Sequence, residues 1–153
     1  MTKKPSSPRV AALVGPYLSG KTALLESILF HCGAIPRKGS RREGSTVGDA
    51  APESRARGSG TEINIAGADY LGESWTFLDC PGSIELLQES ESALMVADAA
   101  VVVCEPDAGR AMTLAPLLRF LDDLDIPHVL FVNKMDTASG SVRETLAALQ
   151  EFS

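Results

Sequence analysis

The segment Gly15-Pro16-Tyr17-Leu18-Ser19-Gly20-Lys21-Thr22 constrains this chain more than any other. It reads GxxxxGKT and falls between a strand-length apolar run, Val10 to Val14, and a stretch, Thr22 to Phe30, with Leu24, Leu25, Ile28 and Leu29 at helical spacing. A strand, a glycine-bearing turn and a helix in that order aim successive N–H groups, and the positive end of the helix, at one concave spot. Such a spot holds phosphate. Lys21 can reach the outer phosphates as a point charge, and the Thr22 hydroxyl can ligate Mg²⁺. The residues expected around the nucleotide phosphates are Gly15, Pro16, Tyr17, Leu18, Ser19, Gly20, Lys21, Thr22 and Ala23. The plainer alternative is a turn that merely packs, and the motif alone does not separate kinases, ATPases and GTPases.

Two further motifs make that separation. Phe77-Leu78-Asp79-Cys80-Pro81-Gly82 ends an apolar strand on an acid followed by a turn. Asp79 would hold Mg²⁺, commonly through water, and the Gly82 N–H would meet a terminal phosphate. By itself DxPG is also a common turn. Phe131-Val132-Asn133-Lys134-Met135-Asp136 gives NKxD at the end of another apolar strand. The Asp136 carboxylate can accept both the ring N–H and the exocyclic amine of guanine, a pair that adenine does not offer. Asn133 can tie this loop to the phosphate loop, and the Lys134 stem can lie over the base. An isolated NKxD would be read as an exposed turn; in this strand order it complements the phosphate loop, and the three motifs together indicate guanine nucleotide.

The length of 153 residues suits one domain, expected here as a flexible N-terminus over 1–8 and a partial GTP-binding domain over 9–153. Short apolar runs alternate with helical stretches. A hairpin is expected around Asp69 to Glu73, strands at Ala99–Cys104 and His128–Val132, and helices at Met112–Leu124 and Val142–Phe152. The fold class is α/β, a doubly wound, mostly parallel sheet with one antiparallel hairpin strand. From about 33 to 61 the chain is rich in Gly, Ser, Arg and Pro, with scarcely an apolar residue to anchor it in a core.

No apolar run reaches the 18 or so residues of a membrane span. The three cysteines, Cys32, Cys80 and Cys104, lie far apart and form no CxxC pair, which fits a reducing cytoplasm and indicates no zinc site. Charge is divided unevenly. Residues 1–60 hold 10 Lys+Arg against 4 Asp+Glu, whereas residues 61–153 hold 4 against 16. The acidic part argues against DNA binding. The basic loop, with Arg37, Lys38, Arg41, Arg42, Arg55 and Arg57, reads either as a ribosomal RNA contact or as a solvated flexible segment.

Over roughly Val10 to Asp136 the chain resembles translational GTPases, in particular elongation factor G and its bacterial elongation factor G-like paralogues. The resemblance is carried by GPYLSGKT, by GSTVGD with Arg57-Gly58 eight residues after Asp49, by WTFLDCPG and by FVNKMD. It implies a Ras-like P-loop G domain that binds GTP or GDP with Mg²⁺, with the 33–61 segment as switch I and the ribosome as a partner of the full-length parent. It also implies GTP hydrolysis, with Lys21, Gly82 and the residue after DxPG as the catalytic candidates. That residue is His in the family and Ser83 here, so hydrolysis is expected to be slow. Gly60 stands where the family has its Mg²⁺-binding Thr, and Thr61 would serve after a one-residue shift. The chain stops before the family's base-covering loop and last strand, which leaves the His128–Val132 strand as an expected sheet edge. A GTP-holding switch without turnover, and a fragment without independent activity, remain as alternative readings.

Overall fold

The computed structural model describes residues 9–47, 62–82, 87–136 and 141–151. In chain order these form β1 (Arg9–Val14), α1 (Lys21–His31), β2 (Asn64–Tyr70), β3 (Glu73–Asp79), α2 (Leu87–Leu94), β4 (Ala99–Cys104), a single turn α3 (Ala108–Ala111), α4 (Ala115–Asp123), β5 (His128–Val132) and α5 (Val142–Gln150). The strands make one five-stranded sheet in the order β2-β3-β1-β4-β5. β1 runs parallel to β3 and β4, and β4 parallel to β5; β2 pairs antiparallel with β3 through a turn at Leu71 and Gly72, both at positive φ. That is the tight hairpin turn whose twist matches the flanking strands.

β1 is apolar along almost its whole length because both of its faces are covered. Ala12 and Val14 point to one side, with Ala100, Val102, Leu94 of α2, Leu118 and Leu121 of α4 and Leu149 of α5. Ala11 and Leu13 point to the other, with Leu25 and Leu29 of α1, Phe77 of β3 and Ala66 and Ala68 of β2. Helices on both faces of a mostly parallel sheet are the doubly wound arrangement. The carboxyl ends of β1, β3, β4 and β5 therefore lie along one rim, and the loops that follow them meet there.

Three expectations need correction. The helix expected over Met112–Leu124 is broken: α3 is capped by Asp107, which accepts from Gly109 N at 2.8 Å, one 3₁₀ turn follows at Met112–Leu114, and α4 starts afresh at Ala115. Pro116 in the first turn of α4 has no N–H to continue the preceding helix. α2 is an addition to the expected elements, since Gln88, Glu89, Glu91 and Ser92 hide its short apolar face. Residues 33–47 are also not without anchors. Ile35 packs beneath α1, a 3₁₀ turn forms at Arg41–Glu43, and Thr46 is buried. Polar bonds from the core side hold this segment in place of apolar side chains.

The final helix carries a capping box between Ser141 and Glu144, and it ends at Gln150 where the sequence suggested Phe152, a residue outside those described. β5 lies at the sheet edge, with Val129 61% exposed. Readings placed on residues 1–8 and on Asp49, Arg57, Gly58, Gly60, Thr61 and Ser83 fall outside the described residues.

Leu118 is fully enclosed between α4 and the sheet, whereas Val129 is open to solvent. Leu118→Ala should lower unfolding free energy by about 2–5 kcal/mol in urea titrations. Val129→Ala should change it by about 0.5 kcal/mol or less.

Candidate nucleotide-binding site

The phosphate loop joins β1 to α1, and its shape depends on two close approaches. At Gly15, φ is 138° and an added Cβ would lie 2.2 Å from the Val103 carbonyl oxygen of β4. At Gly20, φ is 99° and a Cβ would lie 2.2 Å from Asn133 Nδ2. No side chain fits either place, so both positions require glycine. Leu18 also takes a left-handed conformation, with φ 61°, and its side chain is directed outward and exposed.

Lys21 is buried at the start of α1 and folds back over the loop. Its Nζ donates to the carbonyls of Gly15 at 2.9 Å and Pro16 at 2.8 Å. Gly82, at the end of the DCPG turn, lies against the same group: a Cβ there would come 2.5 Å from Lys21 Nζ and 2.8 Å from Tyr17 N. The DxPG turn and the phosphate loop are thus packed backbone to backbone. Beside them, the Thr22 hydroxyl donates to Asp79 Oδ2 at 2.6 Å, both residues being buried. A hydroxyl and a carboxylate converge on one point from α1 and from the end of β3. Hard oxygen donors of this kind suit Mg²⁺.

Around this point opens a cleft of about 350 Å³. The phosphate loop and the start of α1 form one wall, Asp79 to Gly82 a second, and Gly39, Ser40 and Thr46 a third. The third wall is not legible in the sequence. It is held by Glu26, whose carboxylate is buried beneath the loop and accepts backbone N–H groups from it.

On the other side of the phosphate loop, Asn133 Nδ2 donates to the Ser19 carbonyl at 2.9 Å, as the sequence suggested. Lys134, at φ 57°, directs its ammonium to Glu105 Oε1 at 2.5 Å, and Glu105 Oε2 takes Arg110 at 2.7 Å. Glu105 follows β4 directly and fixes the course of the Lys134 stem. Asp136 lies exposed on the turn two residues further on. Phosphate loop, DxPG turn and NKxD turn therefore stand on one rim. Glu26 and Glu105 were missed in the sequence; an acid four residues after Thr22, on the apolar face of α1, was the one available sign of the former.

Cys80 sits inside the DCPG turn and is buried. Burial, reinforced by the adjacent Asp79 charge and opposed by Lys21, pushes its thiol from 9.0 up to about 12. Burial also raises Cys104.

Comparison with known proteins agrees with this geometry. The family described as "Elongation factor Tu GTP binding domain" matches residues 7–153. The chain is 52% identical over 145 residues to the elongation factor G-like protein of Synechocystis sp., covering 95% of this chain and 22% of that protein. With elongation factor G 2 of Streptomyces coelicolor it shares 32% over 133 residues, 87% of this chain and 19% of the other. A crystal structure of a Thermus thermophilus protein superposes with a TM-score of 0.85 at 32% identity, over 94% of this chain and 22% of that one. The bacterial selenocysteine-specific elongation factor shares the fold, with a TM-score of 0.71 at 20% identity, over 94% and 23% of the two chains. This is a translation-factor-type G domain. The chain belongs to the elongation factor Tu GTP binding domain family, and it spans about a fifth of the length of the curated relatives it matches.

The raised Cys80 value makes a thiolate there scarce at pH 8, on the order of one in ten thousand. Iodoacetamide followed by mass spectrometry should label half-exposed Cys32 first and leave Cys80 and Cys104 intact until the chain unfolds. Because the folded thiol holds its proton above the unfolded value of 9.0, Cys80 should also make stability fall as pH rises from 9.0 towards about 12.

Proposed function

We propose that this chain binds GTP and GDP with Mg²⁺ as the G domain of an elongation factor G-like translation factor, and that it hydrolyses GTP slowly. The observation that carries the reading is the Asn133–Ser19 hydrogen bond, which fixes the NKxD turn to the phosphate loop. A base recognised by Asp136 is then in register with phosphates held by the loop.

Each residue has a distinct part. The N–H groups from Tyr17 to Ala23 and the Lys21 ammonium take the phosphates, and Nζ exchanges the Gly15 and Pro16 carbonyls for phosphate oxygens in doing so. Thr22 and Asp79 would hold Mg²⁺, with Thr61 as a further hydroxyl, and the metal supplies neutralisation of charge on the outer phosphates. The Gly82 N–H meets the terminal phosphate. Asn133 positions the base loop, the Lys134 stem covers the base, and Asp136 accepts from two guanine nitrogens. Charge neutralisation by Lys21 carries most of the rate enhancement. At Ser83 the side chain is short and does not titrate near neutrality, so it supplies little help to an attacking water. In the full-length parent this cycle would operate on the ribosome in the cytoplasm. Among the described residues no helix is long and apolar enough to cross a membrane.

Titration with a fluorescent GDP analogue should give saturable binding that GTP competes and ATP does not. Asp136→Asn turns an N–H donor towards guanine donors and should weaken GDP by roughly 100-fold or more, since bonds to charged groups contribute about 1.5–3 kcal/mol each. Equal competition by ATP would overturn the base assignment. In single-turnover assays, Ser83→His should raise GTP hydrolysis at least about tenfold. A chain that holds GTP without turnover, and is unchanged by that substitution, would be a binding switch.

A further inference from the structure

Glu26 stands out among the described residues as a carboxylate that is 2% exposed and lies outside the phosphate, metal and base motifs. A carboxylate withdrawn from water this far has to be compensated by hydrogen bonds. Both of its oxygens are used on one loop: Oε2 accepts the Gly39 N–H at 2.7 Å and Oε1 accepts the Val47 N–H at 2.6 Å. These donors stand at the two ends of a nine-residue segment, so a single side chain closes its base.

The segment is also tied across itself. Ser45 N donates to the Ser40 carbonyl at 3.2 Å, Ser40 N to the Ser45 hydroxyl at 2.9 Å and Glu43 N to the Ser40 carbonyl at 3.1 Å. Where the two limbs cross, a Cβ on Gly39 would lie 2.3 Å from the Ser45 carbonyl oxygen and 2.6 Å from Thr46 Cα, so only glycine passes. Gly39, Ser40 and Thr46 then form the wall of the cleft that faces Thr22 and Asp79. Thr22 and Glu26 are four residues apart on the same buried face of α1. One helix face therefore holds the metal-site hydroxyl with one residue and the cleft wall with the next turn.

We propose that Glu26 is a positioning residue that pins residues 39–47 as the outer wall of the phosphate cleft and couples the docking of that wall to nucleotide binding. The inference rests on the nucleotide-binding reading above. Contacts from a bound nucleotide to this wall stabilise the docked loop, and by linkage a released loop costs nucleotide affinity. Replacing one acceptor oxygen with an amide group sets donor against donor at Gly39 or Val47, which releases at least one limb.

Limited trypsin digestion after exposed Arg42, with and without GDP and Mg²⁺, tests this on the 153-residue chain and on Glu26→Gln. In the unaltered chain, GDP should slow cleavage. In the variant, cleavage should be about tenfold faster, GDP should no longer protect, and a fluorescent GDP analogue should bind about tenfold more weakly. Gly39→Ala, which displaces the crossing without touching the carboxylate, should reproduce all three effects and serves if Glu26→Gln does not fold. A residue with a purely stabilising role would lower the melting temperature and leave protection by GDP intact, and that result overturns the proposal. Unchanged GDP affinity in both variants overturns it equally. Should the unaltered chain bind no GDP, the nucleotide reading falls and the coupling with it, while faster cleavage of Glu26→Gln would still support the pinning of the loop.

Discussion

One hydrogen bond spans 114 residues of sequence, from the Asn133 amide to the Ser19 carbonyl, and the site depends on it. A phosphate loop alone is a short run of backbone with several unpaired carbonyls, free to adopt other shapes. Here its outer carbonyl is taken by a side chain from the far end of the chain. The contact is possible because β4 lies between β1 and β5 in unbroken parallel register, so that the ends of β1 and β5 stand one strand apart. It also requires a residue without a Cβ at position 20. The sheet order, the two glycines and the NKxD turn are thus a single requirement met in several places.

Carboxylates do most of the organising around this contact. Asp79 at the end of β3 receives the Thr22 hydroxyl, Glu105 just beyond β4 receives Lys134 and Arg110, and Glu26 on α1 receives two backbone N–H groups. Each acid joins elements that the chain visits at different times. In partly buried surroundings these charge-assisted bonds are shorter and stronger than neutral ones. The cost is that each acid needs its full set of donors, since a carboxylate left buried without them is destabilising. This explains how a polar, glycine-rich segment such as 33–47 can keep one conformation with little apolar surface of its own.

Elements set by local chemistry could be read in the sequence. The bounds of β4 and β5 were given by apolar runs, the hairpin by apolar and aromatic residues on either side of Asp69 to Glu73, and the phosphate, DxPG and NKxD turns by their spacing. The Asn133 contact followed from motif chemistry before any geometry. What escaped had a non-local cause. Among its described side chains α2 buries Ser90, Ala93 and Leu94 between charged and polar neighbours, so its apolar period is hard to read in eight residues. Glu26 reads as one more polar residue on a helix until the loop that covers it is placed. The break at Pro116 was visible in the sequence, yet the apolar spacing on either side of it suggested one continuous helix.

The hairpin leaves a consequence for spectroscopy. Trp75, the single tryptophan of the chain, stacks on Phe77 with ring centres 6.3 Å apart and carries the Arg9 guanidinium 5.5 Å from its ring centre. Its register partner is Arg9, the first residue of β1, whereas the phosphate loop begins beyond the last. The indole is therefore a full strand away from the cleft, roughly 17 Å at the usual rise per residue. Its emission follows the integrity of the sheet and is nearly blind to what the rim holds. The fold thus contains an intrinsic fluorophore for its own melting, and reporting on the nucleotide falls to a label on the ligand.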